Sequence, residues 1–137
     1  MTDVVWAAGF VDGEGCINLQ EREKDSGVVY PIFKLTNTYH KAVHRLKDIV
    51  KVGTVFLVIP SNPKAKDISV LVACGDSVIV VCQLLLPYLF VKKRQAEIIL
   101  EFAKLPILFD GRRLSDETRI RRLILFDEIK ELNKPGR

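Results

Sequence analysis

An acidic residue held between two glycines is the feature of this chain that most directly indicates chemistry. The segment Gly13-Glu14-Gly15 follows a second acid, Asp12, at the end of a short predicted helix. The last turn of a helix leaves carbonyl groups without intrahelical partners, and here these carbonyls lie beside the two carboxylates. Hard oxygen donors of this kind are the ligands that Mg²⁺ takes in proteins. The segment therefore predicts a site for a divalent metal.

The helix that leads into this segment carries signals of its own. Asp3 is expected to cap its first turn. Ala8 and Gly9 are small enough to let a second backbone approach closely, although a glycine costs about 1 kcal/mol in helix propensity. The same stretch can therefore join two chains as well as hold a metal.

The composition is that of one folded domain. The chain has 137 residues, of which 48% are apolar, which is enough for a hydrophobic core. Its apolar runs are too short to cross a bilayer, and its N-terminus lacks the basic segment of a signal peptide, so no membrane partner is expected. The net charge of +4 is compatible with nucleic acid as a partner but does not require it. Cys16, Cys74 and Cys82 form no CxxC pair and are interpreted as small buried side chains.

After the acidic segment, the residue pattern changes to the alternation of β-strands. Residues 16–24 and 28–38 are predicted to pair as a hairpin around a turn at 25–27. A two-stranded ribbon fits the DNA major groove, where Asn and Gln recognise adenine and Arg and Lys recognise guanine. A solvated outer sheet face would show the same alternation, so the pattern alone leaves both interpretations open. The polar side chains of the first predicted strand are Asn18, Gln20, Arg22 and Lys24.

Helices and a second hairpin complete the chain. The predicted elements are a helix at 39–51, strands at 54–59 and 68–73, helices at about 75–85 and 90–104, a loop at 106–113, and a last helix capped by Ser115. The second hairpin is apolar except for a basic loop with Lys64 and Lys66, and contacts to thymine methyl groups or simple burial both explain it. Further basic residues are candidates for phosphate contact, or for a solvated basic patch: Lys92, Lys93, Arg94, Arg119, Arg121 and Arg122.

Residues 7–15, Ala-Ala-Gly-Phe-Val-Asp-Gly-Glu-Gly, resemble the motif of the LAGLIDADG homing endonucleases. Ala7 departs from the motif, because a large apolar residue is usual there. The predicted order α-β-β-α-β-β-α also matches the core of that family, up to about residue 104. The resemblance implies a single α+β domain over residues 1–137, with a curved antiparallel sheet as a DNA-binding saddle, helices behind it, and a C-terminal helical extension from about residue 105.

The resemblance also implies an activity. Members with one motif are homodimers that bind double-stranded DNA and cut both strands of a long, roughly palindromic site with Mg²⁺, leaving 3′ cohesive ends; Mn²⁺ or Ca²⁺ can replace Mg²⁺ in binding. By position, Glu14 and the Gly13 carbonyl match the metal ligands. Asn37 matches a residue that organises active-site water, and Lys41 and Arg94 match basic residues near the scissile phosphate. Base-reading and phosphate positions would be Asn18, Gln20, Arg22, Lys24, Tyr30, Lys34, Lys64, Lys66 and Lys92, and the dimer interface would include Ala8, Gly9 and Asp12.

Three other interpretations fit the same residues. The first is an RNA-binding intron maturase, or a DNA-binding regulator, that uses this scaffold without cutting. The second is an interaction protein whose small-residue helix only dimerises, which leaves Glu14 and the polar strand face without a role. The third is a designed or altered member of the family. The resemblance leaves the compartment open, since such proteins occur in organelles, archaea, bacteria and phages.

Overall fold

The computed structural model describes residues 2–24, 26 and 28–135, and the predicted turn at 25–27 therefore falls partly outside the described residues. No helix in this described part of the chain is long and apolar enough to cross a membrane. Its elements are α1 (Thr2–Glu14), β1 (Gly15–Glu21), β2 (Val29–Asn37), α2 (His40–Val50), β3 (Thr54–Val58), β4 (Ile68–Cys74), α3 (Asp76–Leu85), a 3₁₀ turn (Leu86–Tyr88), α4 (Lys93–Lys104), β5 (Phe109–Asp110), β6 (Arg113–Leu114) and α5 (Asp116–Leu132).

Four antiparallel strands form the main sheet, in the order β1-β2-β4-β3. The predicted α+β fold and its order of elements are confirmed. The register places Gly15 opposite Leu35 at the α1 end of the β1–β2 pair, and Glu21 opposite Val29 at the far end. Val72 in β4 lies between Lys34 of β2 and Thr54 of β3, so one row of side chains runs across the whole sheet.

Strand alternation gives the sheet two different faces. On the inner face, buried side chains pack into one core with the helices, among them Ile17, Phe33 and Leu71. Their neighbours along each strand project from the opposite, outer face, because successive side chains of a strand alternate. The helices therefore pack on the inner face, and most of the outer face of the sheet is available to a partner.

The C-terminal helix α5 belongs to the same core. Ile129 is fully buried in the core, and the Asn133 side chain after the helix donates to the Ile17 carbonyl over 2.9 Å. Since β1 is an edge strand, this bond satisfies a backbone group that an unprotected edge would leave open. The predicted cap is confirmed, because the Ser115 hydroxyl accepts from the Thr118 N–H over 3.2 Å.

Some predicted boundaries and contacts are wrong. β1 ends at Glu21, so Arg22 and Lys24 lie in the connection to β2 rather than in the strand. The segment predicted as a loop at 106–113 forms most of the short hairpin β5–β6, which ends at Leu114. Asp3 lies within the first turn of α1 instead of capping it, and its carboxylate forms a 3.0 Å ion pair with Arg45 of α2.

The cysteines also differ from the prediction. Cys82 on α3 is buried, whereas Cys16 and Cys74 are exposed. Both exposed thiols occupy strand positions whose neighbours, Ile17 and Ala73, face the core. Strand alternation therefore places Cys16 and Cys74 on the outer face of the sheet.

Candidate functional site

The junction between α1 and β1 presents the acidic segment at the surface. Glu14 is the last residue of α1, and the chain enters β1 at Gly15 without a connecting loop. A Cβ atom at Gly15 would lie 3.0 Å from the Val11 carbonyl oxygen and 3.3 Å from the Phe33 ring, so a larger residue would require these neighbours to shift. Gly13 and Glu14 are both exposed, which leaves their oxygen atoms accessible to a metal ion.

Asp12, predicted at a dimer interface, is used within its own chain. One carboxylate oxygen accepts from the Phe90 N–H over 2.8 Å, and the other accepts from the Lys92 N–H over 3.0 Å. These bonds join the end of α1 to the segment that precedes α4. The contact brings Lys92 to the same end of α1 as Glu14, and the place of Asp12 in a dimer interface stays a prediction.

The structure contradicts the predicted role of Arg94 at a scissile phosphate. Its guanidinium binds Glu128 of α5 through two hydrogen bonds of 2.7 and 2.9 Å, and it donates to Glu101 over 3.0 Å. The bond to Glu128 is the largest of several effects that raise the pKa of Arg94. Arg94 therefore joins α4 to α5, because its charge and its donors are taken by carboxylates of its own chain.

Asn37 and Lys41 lie at the same end of the sheet as Glu14. Asn37 ends β2, two residues beyond the Gly15–Leu35 pair, and its side-chain oxygen accepts from the Tyr39 N–H over 2.8 Å. This bond shapes the entry to α2, whose first turn carries the exposed Lys41. The fold thus gathers an acid, an amide and the two lysines at positions 41 and 92 at one end of α1 and the sheet.

The β1–β2 half of the outer face carries the predicted base-reading side chains. Gln20 lies opposite Tyr30, and Lys34 lies opposite Cys16 in the same strand pair. Asn18 shares this face, although its side-chain oxygen also accepts from the Leu19 N–H over 2.9 Å. Arg22 and Lys24 are exposed beyond the end of β1 and extend the polar surface toward the tip of the hairpin.

Helix α5 lies beside this polar half of the outer face, a contact that was not predicted from the sequence. Phe126 and Lys130 line one groove together with Asn18, Gln20 and Lys34. The Lys130 ammonium lies 5.2 Å from the centre of the Phe126 ring, a cation–π distance. Their spacing of four residues places them on one face of the helix. Only the packing of α5 beside β1 shows that this face lies next to the polar side chains of the sheet.

The remaining basic residues separate into free and engaged groups. Lys64 and Lys66 are exposed in the β3–β4 connection, and Lys92 is half-buried. On α5, Arg119 pairs with Asp116 at 3.1 Å and Arg121 pairs with Glu117 at 2.9 Å. Arg122 lies 4.9 Å from the centre of the Phe102 ring, and burial lowers its pKa. The structure contradicts a phosphate contact by Arg122, because its guanidinium packs on Phe102 of the core. For Arg119 and Arg121 the phosphate contact stays a prediction.

The exposed side of α1 is small and apolar. Val5, Gly9 and Gly13 are exposed at helical spacing, and a Cβ atom at either glycine would meet nothing within 4 Å. Ala8 is 0% exposed, so it packs in the core of its own chain and its predicted place in a dimer interface is wrong. Gly9 lies on the exposed side of the helix, where a second backbone has room to approach.

Comparisons with known proteins agree with these features. No protein-family model matches the chain. It is 29% identical to the DNA endonuclease I-CvuI of Chlorella vulgaris over 144 residues, which cover 94% of this chain and 88% of that relative. The fold superposes on a crystal structure of the homing endonuclease I-CvuI in complex with DNA with a TM-score of 0.75, at 27% identity, covering 99% of this chain and 85% of that one.

Two more distant structures share the fold. An archaeal intron-encoded homing endonuclease, I-Vdi141I, complexed with DNA, matches with a TM-score of 0.73 at 20% identity, over 99% of this chain and 87% of its own. The LAGLIDADG meganuclease I-AabMI matches with a TM-score of 0.66 at 20% identity, over 90% of this chain and 43% of its own. Together with the motif at residues 7–15 and the confirmed order of elements, these similarities support the resemblance of the chain to the LAGLIDADG homing endonucleases, whose fold it shares.

Proposed function

We propose that this chain is a site-specific DNA endonuclease that cuts both strands of a long, roughly palindromic site. The observation that carries the proposal is the position of Glu14, exposed at the end of α1 and next to a sheet face that presents Gln20 and Lys34. The relative I-CvuI is a DNA endonuclease, and its crystal structures are complexes with DNA.

The proposed enzyme is a homodimer joined through α1. The exposed stripe at Val5, Gly9 and Gly13 supports this contact, because a helix that is apolar on two sides is expected to be covered on both. Cutting two strands also requires two acidic groups, and each chain has one exposed acid at this junction. A twofold dimer would bring the two Glu14 side chains together over a site with matching symmetry.

A divalent metal is part of the proposal, with Mg²⁺ as the catalytic ion and Mn²⁺ or Ca²⁺ able to replace it in binding. Crystals of I-CvuI with DNA were obtained with magnesium and with calcium. Across the described residues, no cluster of three His, Cys, Asp or Glu side chains forms a complete metal site in one chain. The Glu14 carboxylate and the Gly13 carbonyl are hard oxygen ligands that suit Mg²⁺, and DNA phosphates, water and the second chain would supply the rest. When bound, the metal would stabilise negative charge on the phosphate and lower the pKa of bound water.

The nearby side chains have distinct roles in this proposal. Lys92 and Lys41 would stabilise the charge that develops on the phosphate during cleavage. Asn37 would orient water at the end of β2, next to the acidic segment. Lys92 replaces Arg94 in this role because Arg94 is bound by Glu128 and Glu101. The products would have 3′ cohesive ends.

Sequence reading is assigned to the outer face of the sheet. Asn18, Gln20 and Lys34 carry the donors and acceptors that distinguish base pairs in the major groove. Lys64, Lys66 and Lys130 border the same face and would contact the phosphate backbone, which gives affinity without sequence information.

The test is cleavage of a randomised double-stranded DNA library with Mg²⁺, comparing the unaltered chain with Glu14→Gln. We expect the unaltered protein to cut a long pseudo-palindrome, and the variant to bind that sequence without cutting it. A protein in which neither form cuts, but both select one sequence, would be a non-cleaving binder of the maturase or regulator kind. Equal cleavage by both forms would exclude Glu14 from the reaction.

A further inference from the structure

The outer face of the sheet divides into a polar half and an apolar half. The β1–β2 half carries Gln20 and Lys34, as described above. On the β3–β4 half, Phe56 is 46% exposed and Val58 is 40% exposed, although both are apolar. Exposed apolar side chains grouped on one strand commonly mark a surface that contacts a partner.

These side chains are not displaced members of the core. Leu71 and Ala73 of β4 belong to the core on the inner face. Val70, between them and Ser69 in the alternation of β4, is not part of this core within the described residues, although it is only 3% exposed. Val70 is therefore covered on the outer face. The register places it directly between Thr36 of β2 and Phe56 of β3. The apolar half is thus a packed layer of side chains built on the outer surface.

Position and charge indicate which partner covers this layer. The row Cys16, Lys34, Val72 and Thr54 crosses the sheet, so the apolar half continues the same face that carries the polar side chains. Lys64 and Lys66 are exposed in the connection at the tip of the β3–β4 hairpin. An apolar surface that continues a polar reading face and is bordered by cations suits a DNA groove, whose floor is base edges and whose rims are phosphates.

The chemistry of the apolar half restricts what it can recognise. Phe56 and Val58 have no side-chain donor or acceptor, so they cannot distinguish bases by hydrogen bonds. The C5-methyl group of thymine is the apolar feature of the major groove. We propose that Phe56 and Val58, supported by Val70, read thymine methyl groups in each half of the target. This inference rests on the proposed function and adds the base that the β3–β4 hairpin selects.

The register also gives the place of these thymines in the target. Phe56 aligns with Thr36, which lies one residue before Asn37 at the Glu14 end of the sheet. Gln20 and Tyr30 lie toward the opposite end of the β1–β2 pair. The methyl-read thymines therefore lie in the inner part of each half-site, nearer the cut than the bases read by Gln20.

Replacing thymine by uracil tests the inference, because this removes only the methyl group and keeps every hydrogen-bonding atom. Starting from the target selected by the randomised library, each thymine is replaced in turn, and the dissociation constant is measured by fluorescence anisotropy with Ca²⁺. We expect about fourfold weaker binding for each inner thymine that is replaced by uracil, because the complex loses the burial of one methyl carbon. Outer thymines should tolerate the replacement.

Two variants connect the effect to the hairpin. Phe56→Ala should bind thymine and uracil targets equally at one inner position, whereas Gln20→Ala should keep the inner uracil effect and lose selectivity elsewhere. Selective binding that ignores uracil at every inner position would overturn this inference and leave the proposed function intact. Absence of any selective DNA binding would overturn both. A change of oligomeric state in Phe56→Ala, with unchanged uracil sensitivity, would assign the apolar half to a second copy of the chain.

Discussion

The carboxylate of Asp12 and the backbone N–H of Lys92 form a 3.0 Å hydrogen bond between residues 80 positions apart in the chain. The other Asp12 oxygen accepts from the Phe90 N–H, so one side chain holds two backbone N–H groups of the segment before α4. This contact fixes the position of Lys92 relative to the end of α1. Asp12, two residues before Glu14, therefore has a structural role, while Glu14 itself is exposed.

Replacing Asp12 by alanine is expected to lower stability and cleavage together. A hydrogen bond to a charged group contributes about 1.5–3 kcal/mol, and partial exposure of Asp12 should bring the total loss for both bonds to the order of 1–3 kcal/mol. The cleavage rate should also fall, because Lys92 is no longer held at the α1 end. Urea unfolding and single-turnover cleavage measure the two effects. Asp12→Asn should show smaller losses because its amide oxygen still accepts one bond, and wild-type values for both Asp12 variants would contradict the positioning role.

Lys92→Ala is expected to reduce cleavage, whereas Arg94→Ala is expected to reduce stability. Lys92→Ala should reduce the cleavage rate by about 10²–10³, the usual cost of removing one charge-stabilising donor, with little change in stability. Arg94→Ala should leave cleavage nearly unchanged in the folded protein. Its free energy of unfolding should fall by only about 1 kcal/mol, because the Arg94 ion pairs are partly exposed and screened by solvent. Lys93→Ala, an exposed neighbour, is the matched control. Loss of cleavage in a stable Arg94→Ala protein would restore its predicted catalytic role.

Local patterns predicted the fold and the exposed acid well. The alternation after Gly15 fixed which residues of β1 and β2 share a face, and the small-residue helix was recognised from its composition. Both signals depend on neighbouring residues, whose spacing defines the geometry of a helix or a strand. The faces that carry Gln20, Tyr30 and Lys34 could therefore be assigned before the fold was known.

Contacts between distant residues could not be predicted in this way. Glu128 lies 34 positions after Arg94, and no local pattern showed that α5 returns to α4. Ala8 and Gly9 are adjacent and similar in size, yet one faces the core and the other faces solvent. The sequence shows that both are small, but only the packing of α1 against the sheet decides which of them a second chain can reach.

The Arg94–Glu128 ion pair predicts a contribution to stability that depends on pH. The hydrogen bond from Arg94 lowers the pKa of Glu128 below its usual value. Because the folded pKa lies below the unfolded value of about 4.3, the stabilisation is complete above that pH and is lost as the pH falls through the folded pKa. Urea unfolding at pH 7 and pH 3 should show a smaller loss of stability for Glu128→Gln than for the unaltered protein. Glu23→Gln, in the exposed β1–β2 connection, should behave like the unaltered protein, and an unchanged pH dependence in Glu128→Gln would contradict the assignment.

The three cysteines are expected to separate by reactivity, and DNA should protect two of them. Burial raises the pKa of the Cys82 thiol to about 12, so it has almost no thiolate at pH 8 and should react with iodoacetamide only after unfolding. Cys16 and Cys74 are exposed on the outer face of the sheet and should both react. Binding of the selected target with Ca²⁺ should slow their alkylation by tenfold or more if DNA covers that face, as mass spectrometry of the labelled peptides would show. Cys16→Ser and Cys74→Ser each remove one labelled site, and they therefore identify which cysteine gives each labelled peptide. Undiminished labelling of both thiols in the DNA complex would mean that DNA binds another surface of the protein.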